Sequence, residues 1–540
     1  TTIEAPKMRQ TVAAMPNYAP AIDQETMDPI GHHIQGFARS QGEKPAITDE
    51  KGTLTWAEML SRANRIANRL REDGLQTGDT VAGLSENSNN YMCLYLGTLI
   101  AGGCMVPLSG MASGEALALM VKDCDSRFLF VSEKNLPLFN EIRDDLDRVQ
   151  PAQRIGLDTD DVDSRQDLDA WLGDTSDAAN PAEVTPDDPF NIIYSSGTTG
   201  TPKGILHDYR FRQRQFDRLS RFGLDGDAIN LVSTPLYSNT TLVSALPTLF
   251  HGGTLVLMGK FNAHRFLELA EEHRVTHAML VPVQYSRIMA EPDFDRFDLS
   301  SFKLKLCTSA PLRSDVIAEA MERWPGNIRE VYGLTEGGIS TSLDCAANPS
   351  KWDSVGIPTE GAEVRIIDDH GNELPQGEIG EIVGRAISMM RGYYHREQQT
   401  NEMLWTSPEG LVFYRSGDMG RLDEDGFLYI LDRRKDMIIS GGFNIYAVDL
   451  EKVLLEHPAV ADVAVIGIPS EHWGETPLGL VVRKTGETAT EEDILAFANG
   501  KLGKTQRLAS VEFREELPRS TIGKVLKREL REPYWADQKK

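Results

Sequence analysis

Cysteine is scarce in this chain, an excess of positive charge is missing, and no apolar run is long enough to cross a bilayer. The five cysteines, Cys93, Cys104, Cys124, Cys307 and Cys345, are scattered and odd in number. Neither a disulfide framework nor a metal-ligand spacing emerges from them, and a reducing cytoplasm is the simplest setting. Lysine and arginine total 56 against 81 aspartates and glutamates, a formal net charge of −25, which argues against a nucleic-acid surface. The longest apolar stretch, 92–108, is broken by Gly102, Gly103 and Pro107 and reads as a buried helix running into a strand. The chain opens Thr1-Thr2-Ile3-Glu4 with no basic segment before an apolar one, so no secretory leader is expected. No internal repeat is evident.

What is present is the composition of an ordinary globular protein, 40% apolar and 25% charged. At 540 residues the chain exceeds one compact core, so two or more domains are expected. Residues 1–40 show weak periodicity and read as an irregular arm. Thr55-Trp56-Ala57-Glu58 is a capping box that opens a helix with Trp56, Met59, Leu60, Ala63, Ile66, Ala67 and Leu70 on one face, closing at Gly74. Short apolar runs at 80–84, 105–108, 128–131, 255–258 and 277–283 then alternate with helical patterns, which predicts an α/β architecture with largely parallel sheets. The acidic segment 158–188 reads as solvated surface. Beyond Asp432 the charge cluster Arg433-Arg434-Lys435-Asp436 is followed by a compact pattern: helix 448–455, strands 463–468 and 478–482, and a helix opened by Thr490. A boundary near Lys435 therefore divides a large N-terminal domain, 1–434, from a small α+β C-terminal domain, 435–540.

The most informative stretch runs from Tyr194 to Gly204, Tyr-Ser-Ser-Gly-Thr-Thr-Gly-Thr-Pro-Lys-Gly, at the end of a buried strand over Phe190, Ile192 and Ile193. Backbone N–H groups, hydroxyls and the Lys203 ammonium are all donors, and a triphosphate is all acceptors. Composition alone leaves a phosphate cradle and a polar linker both open. The GxxxxGK[ST] spacing of the ordinary nucleotide loop fails, because Pro202 precedes Lys203.

The run Ser195-Ser196-Gly197-Thr198-Thr199-Gly200-Thr201-Pro202-Lys203-Gly204 resembles the signature loop of the adenylate-forming superfamily, which includes acyl-CoA synthetases, peptide-synthetase adenylation domains and beetle luciferases. Further matches extend the resemblance over roughly residues 54 to 530. Tyr332-Gly333-Leu334-Thr335-Glu336 is similar to the second nucleotide motif of that family. The resemblance implies that Glu336 is a magnesium carboxylate and that Thr335 contacts the α-phosphate; one carboxylate beside phosphate oxygens suits that ion. In Tyr414-Arg415-Ser416-Gly417-Asp418 the residues by themselves read as a turn. The resemblance gives Asp418 the ribose hydroxyls and makes Arg433 a second ribose or phosphate contact. Pro518-Arg519-Ser520-Thr521-Ile522-Gly523-Lys524 resembles the loop whose lysine stabilises adenylate formation. A cation between a carboxylate and the α-phosphate screens the repulsion of two anions, and Lys524 is expected to supply it.

In the family the small domain rotates about a hinge so that a thiol can replace this lysine; the resemblance places the hinge at Lys435 and turns Gly441 and Gly442 toward a pantetheine chain. It places the acyl pocket among the stretches 235–239, 281–284 and 309–311, with Tyr237, Ser238, Ala310, Gly333 and Gly338 lining it. Ser238 stands where relatives often carry histidine. That departure, with the small residues Ala310, Gly333, Gly337 and Gly338, predicts a deep apolar pocket for a bulky acid. The implied function is an AMP-forming acyl-CoA synthetase using ATP, Mg2+ and CoA on a fatty or aryl-alkanoic acid. No carrier domain follows Lys540, which favours free CoA; a stand-alone enzyme loading a carrier protein is the alternative, and a homodimer is compatible with the sequence. A binding protein without activity is disfavoured, because Lys203, Thr335, Glu336, Asp418, Arg433 and Lys524 are all retained.

Overall fold

The computed structural model describes residues 9, 16–20, 27–195, 202–433, 436–440, 443–470, 472–503, 506–520 and 523–536, without the side chains of Ser195 and Asn444. The chain divides into two compact units, one of Thr1–Trp352, Thr359–Glu363 and Arg385–Tyr414, the other of Asp353–Pro358, Val364–Gly384 and Arg415–Lys540. It passes from one to the other within the strands Ala362–Ile367, Gly380–Ala386 and Val412–Leu422, as well as after Trp352 and Pro358. Among the described residues no helix is long and apolar enough to cross a membrane.

The first unit holds two sheets. In one, the order is Ser340–Asp344, Asn327–Gly333, Leu304–Cys307, His277–Leu280, Ile229–Val232, Thr254–Leu257, Pro45–Asp49 and Gly52–Thr55. Every pair from Asn327–Gly333 to Pro45–Asp49 is parallel, and the two outer pairs are antiparallel. In the other, the order is Gly392–Tyr393, Lys203–Asp208, Pro189–Ser195, Cys104–Leu108, Thr80–Leu84, Phe128–Val131 and Arg154–Gly156, parallel apart from the first two pairs. Parallel strands buried on both faces carry near-continuous apolar runs, which is why the short runs in the sequence are legible as strands.

The helix Trp56–Glu72 starts with the expected capping box, in which Thr55 and Glu58 satisfy each other's backbone N–H groups. Its face from Trp56 to Leu70 is buried against the helix Asn89–Ile100, each large apolar side chain contributing about 1.5–3 kcal/mol. The run 277–283 is shorter as a strand than its apolar content predicts: His277–Leu280 is strand, and Pro282 opens the helix Pro282–Met289. Proline disfavours helical geometry at Val281 and is preorganised for the first helical position, so the element changes there. The amino-terminal arm also departs from expectation, since Ile30–His33 and Gln35–Ser40 are short helices that lack the length to show periodicity. In the acidic segment the helix Leu168–Leu172 buries Trp171.

In the second unit, Phe443–Ile445, Ile438–Ser440, Gly474–Arg483 and Val460–Ser470 form a sheet, with Ser510–Phe513 parallel to Gly474–Arg483. Alternate residues of Val460–Ser470 face opposite ways. Val463 and Val465 pack with the helices Ala447–Leu455 and Glu491–Lys501, while Ala464 and Ile466 pack with Leu517 and Leu530. Both faces of the small sheet are therefore covered. The second helix is capped by Thr490, as the sequence predicts.

Candidate active site

The parallel strands of the first sheet all end on one side, and the loops that leave those ends carry the predicted acyl and nucleotide stretches. Ligands in open α/β sheets bind at the carboxyl ends of strands for this reason. The described hydrogen bonds join the loops. Gln284 donates to the carbonyl and hydroxyl of Ser233 at 3.1 and 3.2 Å, tying the 281–284 segment to the stretch that continues into Tyr237 and Ser238. The hydroxyls of Thr240 and Ser309 are 2.9 Å apart, which brings the Ser238 turn to Ala310. Leu312 N–H donates to Glu330 Oε1 at 3.3 Å and fixes the same loop to the strand Asn327–Gly333.

That strand delivers Tyr332 and Gly333, and the following turn carries Thr335 and the half-buried Glu336. Tyr393 Oη donates to Glu336 Oε1 at 2.8 Å, and Tyr414 Oη lies 2.6 Å from Tyr393 Oη. Burial and then the Glu336 charge push both phenols up, so they remain protonated and serve the carboxylate as hydroxyls. Lys203 Nζ sits 5.1 Å from the centre of the Tyr393 ring. The register explains this: Lys203–Asp208 is paired on one side with Pro189–Ser195, Lys203 opposite Ser195, and on the other with Gly392–Tyr393, Tyr393 opposite Ile205. Lys203, Glu336 and Tyr414, far apart in sequence, thus meet at Tyr393. Ser196, Gly197, Thr198, Thr199 and Gly200 lie outside the described residues, as do Lys435, Gly441 and Gly442. Ser195 is described through its backbone alone.

Among the described residues no three histidine, cysteine, aspartate or glutamate side chains converge to hold a metal ion. A single carboxylate fits magnesium, which keeps most of its shell as water and substrate phosphate oxygens. Glu336 is the residue that would hold it, aimed by Tyr393.

Two of the small residues, Gly333 and Gly337, do not open space on the side that their missing side chains would face. A Cβ on Gly337 would lie 2.3 Å from the Ser388 carbonyl oxygen, and the residue has φ +72°. One on Gly333 would lie 2.9 Å from the Ile339 carbonyl oxygen. These glycines admit neighbouring backbone, so their missing side chains add no pocket volume on that side.

In the second unit Asp418 and Arg433 are brought together. They stand opposite each other on the strands Val412–Leu422 and Leu428–Arg433, with Arg433 Nε 3.3 Å from Asp418 Oδ1. Asp418 is inside a strand, not in the turn its neighbours predict; Gly417, at φ +70°, bends the strand beside it. Lys524 lies in a separate hairpin. Arg519 and Val525 form an antiparallel bridge, Ser520 N–H donates to the Lys524 carbonyl at 2.8 Å, and Arg519 donates to the Gly523 carbonyl at 2.7 Å. Three residues on, half-buried Lys527 pairs with Glu451 at 2.8 Å and anchors the hairpin to the helix Ala447–Leu455. Phe443 and Trp473 are more than half exposed in the same unit.

Sequence reasoning missed Tyr393, Tyr414, His207 and Arg212. His207 Nε2 lies 2.7 Å from the Thr335 carbonyl oxygen, and Arg212 backs His207. The adjacent aromatics of Gly392-Tyr393-Tyr394 are the one local signal available. Buried Glu330 was also missed; its Oε2 has no hydrogen-bond partner among the described residues, and burial pushes its carboxyl up to about 8.

Two outcomes are expected. Tyr393→Phe should lower adenylation about 10–100-fold, as loss of an outer partner of a metal ligand does, with a higher Mg2+ requirement in a pyrophosphate-release assay. An unchanged Mg2+ titration would show that Glu336 does not depend on the phenol. Glu330 should also give the protein a pH-dependent stability. Its proton is kept in the folded state and already lost from the unfolded chain above the ordinary value of 4.5, so stability falls as pH rises from there towards about 8. Glu330→Gln should therefore melt higher than the parent by a margin that widens between pH 5 and pH 8, and a constant margin would refute the assignment.

Comparison with known proteins places this geometry. The family model of the AMP-binding enzyme matches residues 34–394, and that of the AMP-binding enzyme C-terminal domain matches residues 449–524. The fatty acid–[acyl-carrier-protein] ligase ScoC of Streptomyces coeruleorubidus is 31% identical over 511 residues, covering 93% of this chain and 95% of its own. The feruloyl-CoA synthase of an Amycolatopsis species is 33% identical over 500 residues, covering 92% and 97%. Among solved structures, ATP-bound MatB from Rhodopseudomonas palustris superposes with a TM-score of 0.84 at 30% identity, over 95% of this chain and all of that one. With the strand-end loops, the Glu336 turn and both family models in agreement, the chain belongs to the AMP-binding enzyme family, a large α/β N-terminal domain followed by a small C-terminal domain.

Proposed function

We propose that the chain is an AMP-forming acid–thiol ligase that activates a hydrophobic carboxylic acid, fatty or aryl-alkanoic, with ATP and transfers the acyl group to coenzyme A. The observation that carries this reading is the hydrogen bond from Tyr393 to Glu336, with Tyr414 and Lys203 both gathered against Tyr393. In the first half-reaction a carboxylate oxygen attacks the α-phosphorus and pyrophosphate leaves. In the second the thiolate attacks the acyl carbon and AMP leaves. No covalent enzyme intermediate is required, in keeping with five cysteines that are all buried free thiols. Buried free thiols also support a reducing, cytoplasmic setting.

The residues divide the work. Lys203 and the Ser195–Gly200 loop bind the polyphosphate, with Thr335 beside the α-phosphate. Magnesium, held by Glu336, neutralises phosphate charge when bound. Tyr332 lines the nucleotide site, and the Asp418–Arg433 pair takes the ribose hydroxyls. Lys524 is the cation that lets the acid approach the α-phosphate. Because a lysine needed for adenylation obstructs the thiol, the domain from 435 onward turns about Lys435 between the two halves, with Gly441 and Gly442 passing the pantetheine arm.

Support for a bulky acid comes from the feruloyl and fatty-acid relatives, since the glycines add no volume; Tyr237, Ser238, Ala310, Gly333 and Gly338 are the residues proposed to line its pocket. A second reading, transfer to a carrier protein, is favoured by the ScoC similarity.

A panel of carboxylic acids scored by pyrophosphate release, with mass spectrometry of CoA and of carrier proteins as acceptors, tests the whole assignment. Failure to convert ATP to AMP with any acid of the panel would end it. Lys524→Ala should cut adenylation about 10²–10⁵-fold, the range for removing a transition-state cation, and spare thioester formation from preformed acyl-AMP. Equal loss in both halves would remove the role. Lys435→Pro should spare adenylation and damage thioester formation, and an unchanged overall rate would exclude the hinge.

A further inference from the structure

Behind the Thr335–Glu336 turn the first unit buries a cation that the chemistry above leaves unused. Arg212, on the helix Tyr209–Ser220, is fully buried, and its guanidinium donates to three neutral acceptors. These are Asn191 Oδ1 at 2.8 Å, Gln215 Oε1 at 2.7 Å and His207 Nδ1 at 3.0 Å. The rings of Phe190 and Phe211 lie 6.0 and 5.5 Å from its carbon centre, and no carboxylate pairs with it among the described residues. Burial lowers its pKa only to about 10, so it stays charged at neutral pH.

A guanidinium has donors only, so Nδ1 of His207 must be the acceptor, and the imidazole proton sits on Nε2. Nε2–H then donates to the Thr335 carbonyl at 2.7 Å. The ring is held flat against Phe211, at 4.0 Å and 12°, so it has one orientation. The far side of the same turn is fixed independently: Met390 N–H donates to the Glu336 carbonyl at 2.8 Å, and Gly338 N–H to the Ser388 carbonyl at 2.9 Å. The turn through Thr335 and Glu336 is therefore gripped from both sides, and one grip runs through a histidine whose tautomer a buried arginine sets. An apolar side chain would fill the Arg212 site at lower desolvation cost, so packing alone gives no reason for a charge there.

We propose that His207 and Arg212 are positioning residues for MgATP: Arg212 fixes the His207 tautomer, and His207 holds the Thr335 carbonyl so that Thr335 and Glu336 face the phosphates. This rests on the nucleotide role assigned to Thr335 and Glu336 above. Misplacing such groups by about 1 Å costs of order 10²-fold.

The test compares His207→Leu, His207→Gln and Arg212→Met in the full chain. Calorimetry gives the MgATP Kd without any acid, and pyrophosphate release gives kcat and both KM values. His207→Leu should raise the Kd and KM for MgATP about 10–100-fold and leave the KM for the acid within about threefold. His207→Gln, whose amide N–H reaches the position of Nε2, should return MgATP binding to within about fivefold of the parent, a rescue that a packing role would not produce. Arg212→Met should fall between them. Unchanged MgATP affinity in His207→Leu overturns the proposal, as does an equal rise in both KM values without rescue by glutamine. Should His207→Leu not fold, Arg212→Met and His207→Gln decide it: equal affinity in the two overturns it. A parent that binds MgATP but activates no acid would defeat the ligase reading, while the order of Kd values would still decide the positioning role.

Discussion

For the magnesium role proposed for it, Glu336 has to be aimed without being neutralised, and in this protein hydroxyl groups do the aiming. Glu336 receives the Tyr393 hydroxyl, and Tyr414 backs Tyr393. A lysine or arginine in direct contact would have cancelled the charge that magnesium needs; a phenol leaves it intact. The rest of the first unit follows from bringing that phenol there. Tyr393 arrives on a two-residue strand paired with Lys203–Asp208, the same strand that starts at Lys203, so one antiparallel register sets both Lys203, the proposed phosphate lysine, and the support of Glu336.

The second constraint is the charge of the whole molecule. A net charge of −25 opposes the approach of ATP, CoA and a carboxylate, so cations have to be placed one by one where they act. Lys203, Arg433 and Lys524 are half-buried on ordered backbone, and Arg212 is buried altogether. In the second unit an ion pair, Lys527 with Glu451, fastens the Lys524 hairpin to a helix of the core. The long-range cost of an acidic surface is met by short-range geometry.

Elements stabilised by their sequence neighbours are legible from the residues themselves. The capping boxes at Thr55 and Thr490, the apolar strands of the parallel sheets and the small C-terminal α+β pattern all have local signatures. The helices within residues 30–40 are not legible, being shorter than the window in which a period shows. Nor is the helix Tyr209–Ser220, whose Arg212, Gln213, Arg214 and Gln215 look solvated in sequence but are buried, because the helix is enclosed on more than its apolar face, which carries Tyr209 and Phe216 into the core. The partners of Glu336 escape for a related reason: Tyr393 and Tyr414 lie 57 and 78 residues further along the chain, and only tertiary folding reveals them. The glycines mislead in the opposite sense, since smallness in a sequence reads as empty space whereas here it marks contact between main chains.

The hairpin that closes on Arg519 and Val525 has a consequence for how these proteins can vary. Side chains on opposite strands alternate between two faces, so inserting or deleting a single residue between those positions would turn Lys524 to the other side of its ribbon. The spacing between Arg519 and Val525 is therefore constrained across descendants of this gene, because their bridge and the side to which Lys524 turns both depend on it.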